Sequence, residues 1–357
     1  MKLESFTGPF SAGFSSMSSK GCGIKPDISL IIGTFNRKKC LQRALESLAG
    51  LPEAVSELEV IVADDGSDDG TEEAVKSLIS RRILRILYVR SPTREGISAA
   101  RKRAIKIATG KFLVFTDDDC LFDESWLKSL LNPLRRKTAE ISGGPDKPPP
   151  DAPFFRKCIG YLFTSFIGTG GLRSGGRFKV APYYPKGCNM AVRREVIWSV
   201  GGFTEGLQPG EEVELVYRAK RSGYQVAYVP EAGVFHDRQL NLFSLLNKIY
   251  GIGHIRTVLA RKHPGLLYFG HTIPFLCLLG IILTSLLALF SDFFVLLLTI
   301  LVCSYAVFLF TGAVLATRTI GDLRALFVMP FLLCAFHTAH AIGFAKGVFE
   351  ILFQRDH

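Results

Sequence analysis

The apolar residues of the first two thirds of the chain follow two spacings in alternation, which predict strands and helices in turn. Short β-branched, apolar runs typical of strands occupy residues 27–34, 58–63, 83–89 and 111–116. Apolar positions at helical spacing occupy residues 37–49, 71–80 and 98–108. Strands that alternate with helices form a mainly parallel sheet with helices on both faces, and ligands bind at the carboxyl ends of its strands. We therefore expect an α/β domain of this kind.

The pattern weakens and then returns before this domain ends near residue 238. A Pro/Gly-rich break covers 142–153, and a Gly-rich, basic stretch over 168–187 is expected to be a mobile loop. A helix over 211–222 and a strand over 224–229 follow. At the other end, residues 1–26 are rich in Ser and Gly and lack a signal-peptide pattern, so we expect a loose N-terminal tail.

Basic and apolar residues are interleaved over 239–264. No acidic residue occurs between Arg238 and Ser291. This pattern predicts a basic amphipathic helix that lies in the headgroup plane of a membrane, with its cations near lipid phosphates. The alternative is an ordinary helix that docks against the α/β domain.

Three apolar segments follow within 265–357, at about 266–290, 293–316 and 325–345. Each exceeds the roughly 20 residues needed to cross about 30 Å of hydrocarbon. Arg318 and Arg324 lie between the last two segments, and together with the preceding basic helix they favour the cytoplasmic side. We expect a multi-pass protein of the cell membrane whose α/β domain is cytoplasmic. Pro330 leaves open a third segment that is broken or partly interfacial.

Two histidines on one face of the third segment, His337 and His340, have two interpretations. Their i, i+3 spacing would let both contact a lipid phosphate, whereas histidines in a membrane segment more often serve helix packing.

Charge is distributed unevenly along the chain. The 357 residues include 43 Lys+Arg and 32 Asp+Glu, a formal net charge of +11, and residues 265–357 contain four of each sign. The whole excess therefore lies on residues 1–264. No nucleic-acid-binding motif accompanies it, so we expect membrane phosphates and diphosphate ligands as partners and no nucleic acid.

Composition excludes several classes of protein. The mean hydropathy is +0.25, which excludes a disordered or collagen-like chain and makes a wholly soluble protein unlikely. The eight cysteines are scattered and form no C-x-x-C pair. We expect reduced, mostly buried thiols in preference to a zinc site or a disulfide framework.

Two aspartate clusters directly follow predicted strands. They are Asp64-Asp65-Gly66-Ser67 and Asp117-Asp118-Asp119. Crowded carboxylates repel one another unless a cation lies among them, and a divalent cation that bridges a diphosphate would supply that charge. Mg²⁺ and Mn²⁺ suit such oxygen ligands. Taken alone, either cluster also fits a turn or a helix cap.

The clusters belong to an ordered set of motifs from about residue 27 to residue 237. The set comprises Thr34-Phe35-Asn36-Arg37, Asp64 to Thr71, Gly96 to Arg101, Phe115 to Asp119, Trp126-Leu127, Gly187 to Ala191, and Gly210 to Leu215 with Arg218 and Gly223. This set resembles the family 2 glycosyltransferases of the GT-A fold, a Rossmann-like architecture. The membrane region more loosely resembles bacterial and archaeal members of the succinoglycan-biosynthesis type.

The resemblance implies a nucleotide-sugar site on the donor side. Gly33 and Phe35 would line the base, Asp65 would accept a hydrogen bond from it, and Asp64 would lie beside Asp65. Arg101 would lie near the donor.

The same resemblance implies metal, catalytic and acceptor positions. Asp117 would face the ribose and the metal, Asp119 would bind the metal, and His236 would contact the metal or diphosphate. Glu212 would be the general base, which deprotonates the acceptor in a single inverting displacement. Asn189 and Glu211 would lie in the acceptor region.

Two residues depart from the family pattern, and one motif is missing. Lys102 stands where Asn is usual, and Glu replaces Asp at position 212. No Q-x-x-R-W sequence follows; polymer synthases of the family use that motif to hold the growing chain, so its absence favours transfer of one sugar.

These features together predict a membrane-anchored, metal-dependent, inverting enzyme. It would move one hexose from a cytosolic nucleotide sugar, with a UDP-sugar favoured, to a lipid-linked acceptor in polysaccharide or glycan assembly. A polyprenyl-phosphate sugar synthase is the alternative within the class. A catalytically silent membrane subunit is the alternative outside it, while three segments with almost no internal charge make a transporter a poor candidate.

Overall fold

The structure is a computed structural model, and it describes residues 26–52, 57–81, 84–171, 182–207 and 209–353. The predicted N-terminal tail, apart from Pro26, lies outside the described residues, and so does the middle of the predicted loop over 168–187.

A mixed seven-stranded sheet forms the centre of the first domain. Its strands are β1 (Ile28–Thr34), β2 (Leu58–Asp64), β3 (Arg85–Arg90), β4 (Phe112–Asp117), β6 (Ile141–Gly143), β8 (Asn189–Arg193) and β9 (Val226–Tyr228). The order is β3-β2-β1-β4-β8-β6-β9. β1 to β4 are parallel, and β8 is antiparallel to both of its neighbours. The four strands predicted first are confirmed, and the sheet is mainly parallel as expected.

Helices cover both faces of this sheet. They include α1 (Lys38–Ala49), α2 (Thr71–Ser80), α3 (Ile97–Ile107), α4 (Trp126–Arg135), α7 (Arg194–Ser199) and α8 (Glu211–Arg221). Successive strand residues point to opposite faces, so Leu30 and Ile32 pack in the core beneath α1 and α4, whereas Ile31 packs in the core with α3 and α8. Burial of both faces explains why β1 and β2 are mostly apolar and do not alternate; their buried polar residues Ser29 and Glu59 form a hydrogen bond with each other.

A second, three-stranded sheet lies next to the end of β4. It consists of β5 (Cys120–Phe122), β10 (Val234–His236) and β7 (Asp146–Lys147), in the order β5-β10-β7. β10 is antiparallel to β5 and places His236 opposite Cys120. Sequence periodicity does not predict this sheet, because each of its strands has only two or three residues.

The remaining helices join the α/β domain to an apolar region. They are α5 (Phe154–Thr164), α6 (Phe166–Thr169), α9 (Leu242–Lys262), α10 (Phe269–Leu287), α11 (Asp292–Ile320) and α12 (Arg324–Phe353). By length and composition α10, α11 and α12 can each cross a membrane. α12 continues through Pro330, so the third segment is not broken.

The apolar side of α9 is covered by protein. Leu245 and Ile249 pack with α12 residues, while Ile255 and Leu259 join the core of the α/β domain. This arrangement favours the docking alternative for these four residues over insertion into lipid. At the start of the helix Phe243 remains 82% exposed.

α9 and α12 approach each other through glycines. A Cβ atom on Gly253 would lie 2.1 Å from the backbone oxygen of His340, and one on Gly343 would lie 2.0 Å from that of Tyr250. Only residues without a side chain permit this backbone approach. We call this contact the α9–α12 seam.

The two histidines of α12 take part in packing. His337 lies 3.1 Å from the Tyr305 hydroxyl through Nδ1 and 2.9 Å from the Ile167 carbonyl through Nε2. His340 stacks on Phe344. The packing interpretation therefore holds for His337, whose two ring nitrogens both have protein partners.

Candidate active site

The sequence-predicted donor residues meet at the carboxyl ends of β1, β2 and β4. Register places Gly33 opposite Asp117 and Thr34 opposite Asp64. A Cβ atom on Gly33 would lie 1.9 Å from Ile97 Cδ1, so a glycine there lets α3 begin close to the strand end. The parallel sheet thus brings chain segments more than 80 residues apart to one edge.

Asp64 and Asp65 both organise backbone at this edge. The buried Asp64 accepts hydrogen bonds from the Tyr88 hydroxyl and from the Ser67 N–H. Asp65 accepts the N–H groups of Glu95 and Gly96, at 2.9 and 2.8 Å. Asp64 therefore shapes the turn after β2, and Asp65 holds the loop before α3.

Phe35 lies beside these turns and is half-buried. The Arg94 guanidinium lies over its ring, 4.4 Å from the centroid. An aromatic face that carries a cation is a surface on which a planar base can also stack.

Asp118 and Asp119 share one arginine. Arg37 contacts Asp118 at 2.8 Å and Asp119 at 2.7 Å, and the Thr34 hydroxyl donates to Asp118. Burial and the neighbouring charge of Asp119 raise the pKa of Asp118 to about 7, against the opposing charge of Arg37. Burial also disfavours ionisation of Asp119, but the charges of His236 and Arg37 outweigh it and hold the pKa of Asp119 below its usual range.

His236 joins two groups of possible metal ligands. One contains Asp117 and Cys188, the other Asp119 and Cys120, and within each group the ligand atoms lie within 4.8 Å of one another. His236 Nε2 lies 3.0 Å from Asp119 Oδ1. His236 is therefore common to two groups, one with Asp117 and one with Asp119.

Arg101 connects the donor side to the predicted acceptor side. Its guanidinium contacts Asp117 at 3.1 Å and Glu211 at 3.0 Å, and it donates to the Gly187 carbonyl. A Cβ atom on Gly187 would lie 2.6 Å from this guanidinium, which explains the glycine. Burial and the charge of Glu212 raise the pKa of Glu211 to about 7, although Arg101 opposes the shift.

Glu212 lies in the first turn of α8. Gly210 precedes the helix with φ +116°, a conformation that favours glycine. The macrodipole of the helix favours carboxylates in this turn. Glu212 is half-buried, whereas Glu211 and Glu214 are buried, so Glu212 is the carboxylate of the three with an open face.

Asn189 lies underneath the site with its side chain enclosed. Its amide accepts from Trp126 Nε1 at 3.0 Å and donates to the carbonyls of Pro145 and Ala232. These contacts tie β8 to α4 and to the second sheet. Asn189 would therefore influence the predicted acceptor region indirectly, by holding β8 in place.

Sequence reasoning assigned no role to four participants. Arg37 stood inside a quoted motif, so its position was available even though no role was assigned to it. Asp118 stood in a quoted run as well; it accepts a hydrogen bond from the Thr34 hydroxyl and contacts Arg37. Cys188 also stood inside a quoted motif, whereas Cys120 had no signal, because its place beside His236 depends on the second sheet. The described cysteines are all free thiols, as expected.

Comparisons with known proteins identify a family and relatives of the chain. The family model described as glycosyl transferase family 2 matches residues 29–201. The chain is 30% identical over 232 residues to the succinoglycan biosynthesis protein ExoM of Rhizobium meliloti, which covers 61% of this chain and 69% of that protein. It is 26% identical over 231 residues to glycosyltransferase AglE of Haloferax volcanii, which covers 64% and 72%.

Two further matches bear on the ligand and the fold. Over 115 residues the chain is 30% identical to the GalNAc(5)-diNAcBac-PP-undecaprenol beta-1,3-glucosyltransferase of Campylobacter jejuni, which covers 32% of this chain and 35% of that protein. The solved mannosyltransferase PcManGT from Pyrobaculum calidifontis, in complex with GDP-Man and Mn²⁺, matches with a TM-score of 0.59 at 18% identity. That match covers 94% of this chain and 89% of the other, and it supports the GT-A fold.

Proposed function

The chain belongs to glycosyl transferase family 2, and we propose that it moves one hexose from a nucleotide sugar to a lipid-linked acceptor, with inversion at the anomeric carbon. The observation that carries this proposal is the placement of Glu212. It lies in the first turn of α8 directly after Glu211, whose carboxylate contacts Arg101, and Arg101 also contacts Asp117; residues of α8 share a core with Ile255, Leu259 and Leu266.

A divalent cation would bind beside His236, which shares one group of possible ligands with Asp117 and another with Asp119. Asp119 and His236 are buried and already form an ion pair, at 3.0 Å between Asp119 Oδ1 and His236 Nε2. Two carboxylates and an imidazole favour Mn²⁺ over Mg²⁺, which prefers oxygen ligands alone. When bound there, the cation would neutralise the negative charge that develops on the departing diphosphate.

Glu212 would act from the opposite side of the sugar. It takes the proton of the acceptor hydroxyl, whose oxygen bonds to the anomeric carbon while the bond to the nucleotide diphosphate breaks. A positioned base of this kind contributes roughly 10²- to 10⁴-fold to the rate. One displacement inverts the configuration.

The donor nucleotide is proposed from the base-binding surface. Phe35 offers an aromatic face, and Asp65 accepts N–H donors at the same edge. The N3–H of uracil is such a donor, which makes a UDP-sugar the first candidate.

The lipid side of the proposal depends on α10, α11 and α12. These helices would anchor the protein as a multi-pass membrane protein, with the catalytic domain in the cytoplasm, where nucleotide sugars are made. The printed name of the Campylobacter relative includes an undecaprenol diphosphate acceptor. An acceptor of that class would present its sugar at the level where α10 begins.

The test is transfer by the purified full-length protein in lipid nanodiscs. A panel of radiolabelled nucleotide sugars is supplied with lipid extract and Mn²⁺, and the product is identified by mass spectrometry. We expect one labelled lipid-linked product with inverted configuration. Glu212→Gln should lower its rate by about 10²-fold or more, and Asp119→Asn should lower the rate and raise the Mn²⁺ concentration needed for half-maximal activity.

Asp151→Asn is the matched control, because this exposed aspartate lies outside the site. It should transfer at the wild-type rate. A retained configuration, or full activity of Glu212→Gln, would contradict the role of Glu212. A product that carries sugar on bare polyprenyl phosphate would identify the acceptor as the lipid carrier itself.

A further inference from the structure

α12 contacts the helices α5 and α9 from one of its ends to the other. At its start, the Arg324 guanidinium lies 4.5 Å from the centroid of the Phe154 ring on α5. Near its end, Glu350 Oε2 lies 2.6 Å from His254 Nε2 on α9. These two contacts are about 39 Å apart along the helix axis, at 1.5 Å per residue. A helix that crosses about 30 Å of hydrocarbon can contact a domain on one side of the membrane at only one of its ends.

α5 is fixed to the second sheet of the α/β domain. Arg156 contacts Asp237, directly after β10, at 2.7 Å. The Arg238 guanidinium lies over the Phe163 ring, 4.8 Å from its centroid. Phe163 also makes an edge contact with Phe336 of α12, with 5.9 Å between the ring centroids. The first half of α12 is therefore held beside the second sheet.

α9 is fixed to the core of the α/β domain. Ile255 and Leu259 pack in that core with residues of α8. Gly347 of α12 leaves no room for a Cβ atom beside the Thr257 side chain of α9. The second half of α12 is therefore held beside that core, and the two ends of α12 lie on the same side as the α/β domain.

We propose that α12 lies along the membrane surface, with lipid as the partner of its exposed side, and that α10 and α11 are the helices that cross. The end of α12 is then on the same side of the membrane as the α/β domain, whereas three crossings would place it on the opposite side. The sequence left open a third segment that is partly interfacial, and the contacts at both ends of α12 favour that alternative.

α10 and α11 form the crossing hairpin. The hydroxyl of Tyr268, directly before α10, lies 2.9 Å from that of Tyr184 in the α/β domain. Toward the end of α11, the Gly312 carbonyl accepts a hydrogen bond from the Tyr161 hydroxyl of α5 at 3.1 Å. Phe290, in the turn that joins the two helices, is 85% exposed. The hairpin therefore leaves the α/β domain and returns to it, as two crossings require.

The exposed side of α12 is an apolar stripe that runs the length of the helix. Its residues are each at least half exposed: Phe327, Phe331, Ile342, Phe349 and Phe353. With 3.6 residues per turn they fall within about 80° of one another around the helix. A helix in the membrane surface presents such a stripe to the acyl chains. Protein rather than water covers the opposite side, which explains why α12 is apolar all round and resembles a crossing helix in sequence.

Cysteine labelling of the full chain in intact cells tests the side on which α12 ends. Three cysteines are introduced singly: Asp151→Cys in the α/β domain, Ser291→Cys in the α10–α11 turn, and one added after the last residue. Cys22→Ser is the common background and the control for residual labelling, because its remaining thiols are buried or lie on α10, α11 and α12. A membrane-impermeant maleimide is applied before and after permeabilisation.

We expect the added cysteine to react under the same condition as Asp151→Cys, and Ser291→Cys to react under the other condition. Reaction of the added cysteine together with Ser291→Cys, apart from Asp151→Cys, would show that α12 crosses and would overturn the inference. Reaction of all three under one condition would overturn it as well, because α10 and α11 would then not cross.

A depth measurement tests the orientation of α12 directly. A fluorescent amino acid replaces Phe331, Ile342 or Phe349, and its quenching is measured in vesicles of lipids that carry bromine at known depths. Although positions 331 and 349 are about 27 Å apart along the helix, we expect the same lipid to quench all three. Leu296 and Phe310 are the matched control pair, since both are exposed on α11 and about 21 Å apart; they should differ in depth. A difference along α12 as large as that along α11 would overturn the inference, and neither readout depends on transferase activity.

Discussion

The α9–α12 seam should make Gly343→Ala destabilising, although alanine normally improves a helix. The added Cβ would lie 2.0 Å from the Tyr250 oxygen and 2.8 Å from its carbonyl carbon. Both are backbone atoms, so no flexible side chain can move aside. The helices must separate, and overpacking of this kind costs about 1 to 3 kcal/mol. The usual gain from Gly to Ala within a helix, about 0.5 to 1 kcal/mol, offsets only part of that cost.

Gly280→Ala is the matched control on α10. Nothing lies within 4 Å of the Cβ position at Gly280, so only the gain in helix propensity applies. We therefore expect shifts of opposite sign. Gly343→Ala should lower the Tm of the full-length protein, whereas Gly280→Ala should leave it unchanged or raise it slightly.

The assay is thermal unfolding in one detergent, followed by circular dichroism and by limited proteolysis of α9. Gly343→Ala should also speed cleavage within α9, because separation from α12 exposes that helix. Equal Tm values for the two variants, with equal cleavage of α9, would refute the close backbone approach at the seam.

Three further predictions concern charged groups of the α/β domain. Burial opposes ionisation of Glu214, but Arg218, His263 and Lys262 hold its pKa at about 2, below the usual 4.5. Ionised Glu214 therefore stabilises the fold above about pH 4.5 and loses this effect as the pH falls toward 2. The free energy of unfolding, measured with urea, should be higher for the wild type than for Glu214→Gln at pH 6. This difference should shrink by on the order of 2 kcal/mol between about pH 6 and pH 3. Arg101→Lys should slow transfer about tenfold or more in the nanodisc assay, because one ammonium cannot replace the guanidinium contacts with both Asp117 and Glu211. An unchanged rate would exclude a role for Arg101 in joining these two carboxylates. Asp65→Asn should raise the donor KM and leave kcat nearly intact, since it loosens the loop before α3; a fall in kcat alone would contradict this.

The central sheet and the donor residues were predictable from sequence for a physical reason. Four parallel strands buried on both faces leave continuous apolar runs, and their carboxyl ends meet at one edge. The strand pattern alone therefore predicts that Asp65 and Asp117 lie at the same edge of the sheet. The resemblance to the family then supplied roles that burial patterns cannot give, such as that of Glu212.

The second sheet and the covered side of α9 were not predictable in the same way. Strands of two or three residues have no measurable periodicity, so the place of Cys188 beside His236 depended on tertiary contacts. A basic helix with an apolar side looks the same in sequence whether lipid or protein covers that side. The α9–α12 seam determines that protein covers this side, and its glycines on α12 lie about 90 residues further along the chain.

The order of synthesis gives the α9–α12 seam a further consequence. Ile255 and Leu259 of α9 belong to a core that also contains α8 residues, while Leu245 and Ile249 of the same helix pack with α12, which is synthesised after α9, α10 and α11. Domains generally fold in the order in which they are made, but α9 cannot gain its full cover before α12 has been made. A chain that stalls before α12 would therefore keep part of α9 uncovered next to the core of the α/β domain.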